Sequence, residues 1–254
     1  MGRLDGKVTV ITGGAGGIGI AAAKRFVEEG SDVLLVDLDE AALADAVSQI
    51  GSNKVSYFVG DVTKVEDNQA MIDMATERYG GVDNFLANAG IEGDVAPILE
   101  YSEDRFDQVM AVNVKGPFLG LKAAVPALMK RGGGSIIITS SIAGVKGSPG
   151  VAPYVTSKHA VIGMMRSAAK EFAEHNIRVN TVNPSPVETR MMRSLEEGIA
   201  PGAAEQAKAS MEAAIPMGRY AEPADIANIM LFLASDDATF ITGSVYMADG
   251  GSAA

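Results

Sequence analysis

The 254-residue sequence predicts an α/β protein built on one doubly wound parallel sheet with helices on both faces. Three observations carry this. Short β-branched and apolar runs alternate with longer helical stretches along the chain. The short runs are continuously apolar, as strands covered on both faces are. No linker or repeat breaks the order, so residues 1–254 read as a single domain.

In chain order, "KVTVIT" (7–12) reads as the first strand and "GIGIAAAKRFVEEG" as the first helix, stopped at Gly30. "DVLLVD" (32–37) is the second strand, and "DEAALADAVSQIG" the second helix, with Asp39 available as its N-cap. "KVSYFVGD" (54–61) and "KVEDNQAMIDMATERYG" are the third strand and helix. "VDNFLANAG" (82–90) is a fourth strand ending in a glycine turn. "SIIITSS" (135–141), "IRVNTVNP" (177–184) and "GSVYMADGG" (243–251) bring the total to about seven strands. Two further helices, roughly 103–130 and 152–174, carry apolar residues around more than one face. One side should meet the sheet. The other is either a wide core contact or a symmetric partner subunit. The Met- and Pro-containing segment 185–220 follows the sixth strand at the carboxyl end of the sheet, where such folds bind ligands. It is expected to be a mobile lid rather than a plain surface helix pair.

Composition narrows the function. A net charge of −11 repels phosphate backbones, so no nucleic-acid role is expected. With no Cys there is no disulfide, thiolate nucleophile or Cys metal site, and two His do not make a zinc site unaided, so no metal is expected. The N-terminus turns polar too early for a signal peptide, and no apolar run reaches membrane-spanning length. A cytoplasmic enzyme with no membrane partner is the expectation.

"TGGAGGIG" (12–19) joins the first strand to the first helix, with Gly13, Gly17 and Gly19 spaced G-x-x-x-G-x-G. Glycines there permit a tight turn and close approach of a pyrophosphate, which a helix N-terminus favours. Ile18 lies within this loop. Asp37 ends the second strand, and Leu38 follows it. A carboxylate there can accept both adenosine ribose hydroxyls and repels a 2′-phosphate, which predicts NAD and disfavours NADP. Tyr154 and Lys158 in "PYVTSKHA" lie at i and i+4 of a helix, on one face, with Pro153 suited to the helix start. A free Tyr, with a pKa near 10, is a poor base; a nearby ammonium should lower that value. Ser141, at the carboxyl end of the fifth strand, can orient a substrate oxygen.

Over nearly its whole length the chain resembles the short-chain dehydrogenase/reductase family. The resemblance rests on TGGAGGIG (12–19), DV (61–62), NAG (88–90), N-V-K-G (113–116), Ser141, YVTSK (154–158), NP (183–184) and the Val187-x-Thr189 pair, in this order and at these separations. It implies a Rossmann-type fold and assigns roles. Tyr154 would be the general acid/base. Lys158 would hold the nicotinamide ribose and lower the Tyr pKa. Ser141 would bind the substrate oxygen, and Asn113 would hold a water in a proton relay. Asp61 and Val62 would meet the adenine, and Asn88, Ala89 and Gly90 would wall the adenosine ribose. Pro184 joins the cofactor contacts, and Val187 and Thr189 would anchor the carboxamide. The family also implies a homotetramer (or homodimer). Two departures stand out: Ser185 where Gly is common, and Ala87 where Asn is frequent.

Other polar residues read as bystanders. Ser140 points away from Ser141 along a strand, and His159 faces about a quarter-turn from Lys158. His175 suits a helix end. Asn180 and Asn183, bracketing the sixth strand, suit loop backbones. The leading functional expectation is an NAD-dependent oxidoreductase for a small secondary alcohol or ketone. Ile142, Ala143, Val145, Val151, Met191 and Met192 would line its pocket, with Glu92 and Asp94 at the mouth. An acyl-carrier-protein-linked 3-oxoacyl reductase is the alternative, which the acidic charge and Asp37 fit poorly. A dinucleotide-sensing protein without catalysis is the third, against which Tyr154 and Lys158 both stand.

Overall fold

The computed structural model describes residues 2–254. Its strands are β1 (Val8–Thr12), β2 (Asp32–Asp37), β3 (Val55–Val59), β4 (Asn84–Ala87), β5 (Gly134–Thr139), β6 (Ile177–Pro184) and β7 (Val245–Ala248). All pair in parallel, in the order β3-β2-β1-β4-β5-β6-β7. From β1 the chain winds outward to β3, returns to β4 beside β1, and winds outward the other way. That reversal opens a crevice at the carboxyl ends of β1 and β4.

Parallel neighbours require crossovers, and helices supply them. They are α1 (Gly17–Glu28), α2 (Glu40–Ile50), α3 (Val65–Tyr79), α4 (Glu103–Met110), α5 (Gly116–Arg131), α6 (Ala152–Phe172), α7 (Arg190–Ile199), α8 (Ala204–Ala214) and α9 (Pro223–Ala234). Successive strand residues point to opposite faces, which divides the core in two. Val10, Leu34, Val36, Ile136 and Ile138 pack under α3, α5 and α6. Ile11, Val33, Leu35 and Ile137 pack under α1, α2 and α9. The Asp39 side chain caps α2 by accepting from the Ala42 N–H at 3.1 Å. No helix among the described residues is long and apolar enough to cross a membrane.

Several boundaries differ from the sequence expectation. β4 stops at Ala87, so Asn88–Gly90 form the turn beyond it. β5 stops at Thr139, so Ser141 lies past the strand end. Asn180 and Asn183 lie inside β6 rather than bracketing it. The helix expected over 103–130 is interrupted by a π-helical turn, Ala111–Lys115, between α4 and α5. The two over-apolar helices are explained mostly by a wide core contact: Leu121, Ala124, Val125, Val161, Ile162 and Met165 are all buried within the chain. Phe106, Phe118 and Met129 remain exposed. Ile98, Tyr101, Phe106, Ala152, Pro153 and Thr156 help line a groove of about 410 Å³ between α4 and the start of α6.

Candidate active site

The crevice is built by the turns that leave β1, β2, β4, β5 and β6. In the glycine loop, Gly13 has φ +65°, and a Cβ there would lie 2.9 Å from Ala89 Cα. A Cβ on Gly19 would lie 2.3 Å from the Gly13 carbonyl oxygen. Gly14, which the sequence spacing passed over, is equally closed, with Leu35 Cβ 2.8 Å from such an atom. Gly17 is more open; its nearest neighbour would be the Thr189 methyl, at 3.1 Å. Ile18 stands between Gly17 and Gly19 in the first turn of α1, where no acidic residue opposes an anion.

Asp37 ends β2 and grips this loop. Its Oδ2 accepts from the Ala15 N–H at 3.1 Å and its Oδ1 from the Leu38 N–H at 2.8 Å. Asp61 Oδ1 accepts from the N–H (2.9 Å) and hydroxyl (2.7 Å) of Thr63. Burial resists that charge, but these bonds and the Lys64 ammonium outweigh it and hold the carboxyl below its usual range. Val62 packs against Gly116, where a Cβ would lie 3.0 Å from Val62 Cγ2. Asn88 is a brace: its amide donates to the carbonyls of Thr12 (3.1 Å) and Gly13 (3.3 Å), and its oxygen accepts from the Thr139 hydroxyl (3.0 Å). The Thr12 hydroxyl accepts from the N–H groups of Asn88 and Ala89 at 3.1 and 3.2 Å. The ends of β1, β4 and β5 are therefore tied together. Backbone donors at a helix N-terminus, a carboxylate at a strand end and a glycine cradle no side chain can enter fit the pyrophosphate and ribose of a dinucleotide.

At the other end of the crevice, Pro153 sits in the first turn of α6 and starts it. Tyr154 and Lys158 follow on one face, with Lys158 Nζ 5.4 Å from the Tyr154 ring centroid. Lys158 donates to the Thr139 carbonyl at 2.9 Å. The Ser140 hydroxyl donates to the Lys158 carbonyl at 3.0 Å, so Ser140 anchors the helix from the strand side. Ser141 caps the short 3₁₀ turn Ile142–Gly144, accepting from the Ala143 N–H at 3.1 Å. As a neighbouring hydroxyl donor it also favours the ionised form of Tyr154. Gly90 completes this wall, since a Cβ there would lie 3.5 Å from Lys158 Nζ.

Asn113 occupies the π turn and is 1% exposed. Its Oδ1 accepts from the Ile91 N–H at 2.8 Å, and its Nδ2 donates to the Ile91 carbonyl (2.8 Å) and the Ser157 hydroxyl (3.1 Å). Ser157 in turn donates to the Tyr154 carbonyl at 2.7 Å. Both Asn113 amide hydrogens are thus committed, leaving its side chain one spare lone pair for a water. Ser157, Thr12 and Thr139 were not singled out from the sequence. Their only signal was a hydroxyl beside a residue that was.

The electrostatics correct one expectation. Burial lifts the Tyr154 hydroxyl above its ordinary 10.0; the bond from Ser141 opposes this, and the nearby Glu92 charge adds to it. Burial also lowers Lys158 from 10.5 to about 8. Desolvation disfavours the charged form of both groups and is the largest cause of each shift.

The remaining residues sort clearly. His159 bonds the Val155 carbonyl within α6 and is exposed. His175 lies in a 3₁₀ turn beyond α6. Asn180 donates to the Ile241 carbonyl and Asn183 to the Ser141 carbonyl, both at 2.9 Å. Asp94 is turned to Arg105 (3.0 Å). Ser185 has no positive φ, so the glycine common at this position is not required for backbone reasons; its N–H donates to the Ala248 carbonyl at 3.1 Å. Pro184 ends β6, and its carbonyl lies 3.4 Å from the Ser141 hydroxyl. Val187 is buried, and the Thr189 hydroxyl donates to its carbonyl at 3.2 Å.

The family model described as Enoyl-(Acyl carrier protein) reductase matches residues 13–253. A 3-oxoacyl-[acyl-carrier-protein] reductase of Thermotoga maritima is 38% identical over 251 residues, covering 98% of each chain. The crystal structure of levodione reductase superimposes with a TM-score of 0.95 at 33% identity, covering 98% of both chains. That of NAD⁺-bound xylitol dehydrogenase gives 0.92 at 34%, covering 98% of this chain and 99% of the other.

Proposed function

The chain belongs to the short-chain dehydrogenase/reductase family of oxidoreductases, and from that membership we propose that it interconverts a secondary alcohol and a ketone with NAD(H). The observation that carries this reading is the convergence of Tyr154, Lys158 and Ser141 beside the crevice. The nicotinamide, when bound, gives or takes the hydride. The residues of the chain handle the proton and the developing charge. Ser141 donates to the substrate oxygen. Tyr154 gives its proton to that oxygen during reduction and receives it during oxidation. Its raised pKa keeps it protonated at neutral pH, which suits the reduction direction. Lys158, the glycine loop, Asp61, Val62, Asn88, Ala89, Gly90, Pro184, Val187 and Thr189 would hold the dinucleotide. Asp37 would select NAD over NADP.

The segment 185–220 serves in this reading as a lid, with Met191 and Met192 over the substrate. Apolar neighbours such as Ile142 and Ala143 favour a medium-sized apolar substrate. The assembly would be a homotetramer using the face that exposes Phe106 and Phe118. A second reading, reduction of a carrier-linked 3-oxoacyl group, is favoured by the Thermotoga relative and opposed by the charge of −11, because carrier proteins are themselves acidic.

One experiment separates these. Purified protein is given ketones, secondary alcohols and a carrier-linked 3-oxoacyl substrate, each with NADH/NAD⁺ or NADPH/NADP⁺, and absorbance of the reduced cofactor is followed. NAD-linked turnover of free substrates, lost by a factor of ~10³ or more in Tyr154→Phe, is expected. Preference for NADPH and the carrier-linked substrate would favour the second reading. Dinucleotide binding with no turnover that depends on Tyr154 would leave a sensing protein.

A further inference from the structure

Helices α7 and α8 are fixed to the protein with little help from the core. The only buried side chains they contribute are Glu196 of α7 and Ala207 of α8. Apolar burial is what holds most helices in place. Here charge substitutes for it, and one residue is the hub. Glu188 divides its carboxylate between the two helices. Arg193 Nη2 of α7 donates to Oε2 at 2.8 Å, and Lys208 of α8 pairs with Oε1. Arg193 continues to the buried Glu196 at 3.0 Å. Both cations rest against the Tyr220 ring, 5.9 and 5.5 Å from its centroid.

The anchor point is firm. Tyr220 is 1% exposed and leads into Ala221. The Ala221 carbonyl accepts from the Glu188 N–H, and the Ala221 N–H donates to the Pro186 carbonyl, both at 2.9 Å. The two ends of the segment are pinned together, and Glu188 sits on the pin between Val187 and Thr189.

Resting on the reading above, we infer that Glu188 is an ionic clasp, a positioning residue that holds α7 and α8 shut over the crevice and sets how fast the dinucleotide leaves. Each pair is partly exposed, and such pairs are individually weak and screened by salt. Because both share one carboxylate, loss of that charge frees both helices at once. A segment with so little buried apolar surface belongs to the low-stability end of the structure, as a part that must open does. The Thr189 methyl lies against Gly17 of the glycine loop, so release of the clasp is felt at the cradle.

Two variants test this. Glu188→Gln preserves shape while removing the charge; Lys208→Met releases α8 alone. Amide exchange of residues 190–214 is measured without cofactor, and NADH dissociation by stopped-flow fluorescence. Exchange should rise by about tenfold or more over 190–214 in Glu188→Gln and over 204–214 in Lys208→Met, while the β-strands stay protected. NADH dissociation should be several-fold faster, with KM for NADH raised and kcat kept. The wild type in ~0.5 M NaCl should move the same way, and Glu188→Gln should respond to salt less than the wild type does. Unchanged exchange and dissociation in both variants would overturn the clasp, as would faster exchange throughout the sheet. If wild-type protein binds no NADH, the functional reading falls and the exchange data alone decide the clasp.

Discussion

Lys158 is 4% exposed, and burying an ammonium has a cost. Its pKa falls from 10.5 unfolded to about 8 folded. The unfolded chain therefore binds more protons between those values, and stability rises with pH across that window. The gain is about 3 kcal/mol, fully present above 10.5 and lost as pH falls through 8. Urea unfolding between pH 7.5 and 10.5 should show this rise in the wild type and not in Lys158→Met, which should also be inactive. Glu92 acts on the neighbouring group. Its negative charge adds to the burial that raises Tyr154. Glu92→Gln should therefore move the rising limb of the oxidation profile to lower pH; an unmoved kcat/KM profile would remove Glu92 from the site. The sequence made Tyr154, Lys158 and Ser141 legible because spacing and strand ends place them. It did not foretell the direction of the Tyr154 shift, because desolvation depends on what folds over a residue, not on its neighbour at i+4.

At the scale of elements, strand centres were readable and strand ends were not. β-branched runs declare a buried strand, but where it stops depends on pairing: β4 finds β1 partners only from Asn84 to Leu86. The π turn was equally hidden. It holds Asn113, whose amide bonds Ile91 more than twenty residues earlier in the chain, a contact no local pattern announces. The glycine loop was legible as a loop, although the spacing scheme undervalued Gly14. Its glycines should rank by the space each leaves. Gly19→Ala, facing a carbonyl oxygen at 2.3 Å, should be the most damaging, with Gly14→Ala next and Gly17→Ala, which meets a movable methyl at 3.1 Å, mildest. Thermal unfolding and NADH affinity of the three variants check the order. Equal losses in all three would mean that the cradle tolerates shifts of its backbone.

For the whole molecule, the sequence supported the sheet, both helical layers and the crevice, and overestimated the apolar excess of the 103–130 and 152–174 helices. Their side chains mostly close the core of the chain itself. What remains outside is a smaller face: Phe118 is 50% exposed, Phe106 lines the groove beside α6, and Met129 is exposed on α5. If that face joins subunits, Phe118→Glu should dissociate the assembly while leaving the fold intact, because the side chain supports nothing in the chain core. Sedimentation velocity gives the answer: a wild type that already runs as a monomer would rule the interface out.

The strand order also imposes a timetable on synthesis. β1 can pair with β2 as soon as Asp37 has emerged, but its other edge waits for β4, with Thr9 and its partner Asn84 separated by 75 residues. Until then the strand that will become the middle of the sheet has a bare, apolar flank, and such flanks invite pairing with other chains. The first half of the protein thus carries an open sheet edge until β4 is made. The residues that close that flank, Asn84–Leu86, lie just before the NAG turn of the crevice. Covering that edge of β1 and forming the first wall of the crevice are the same event.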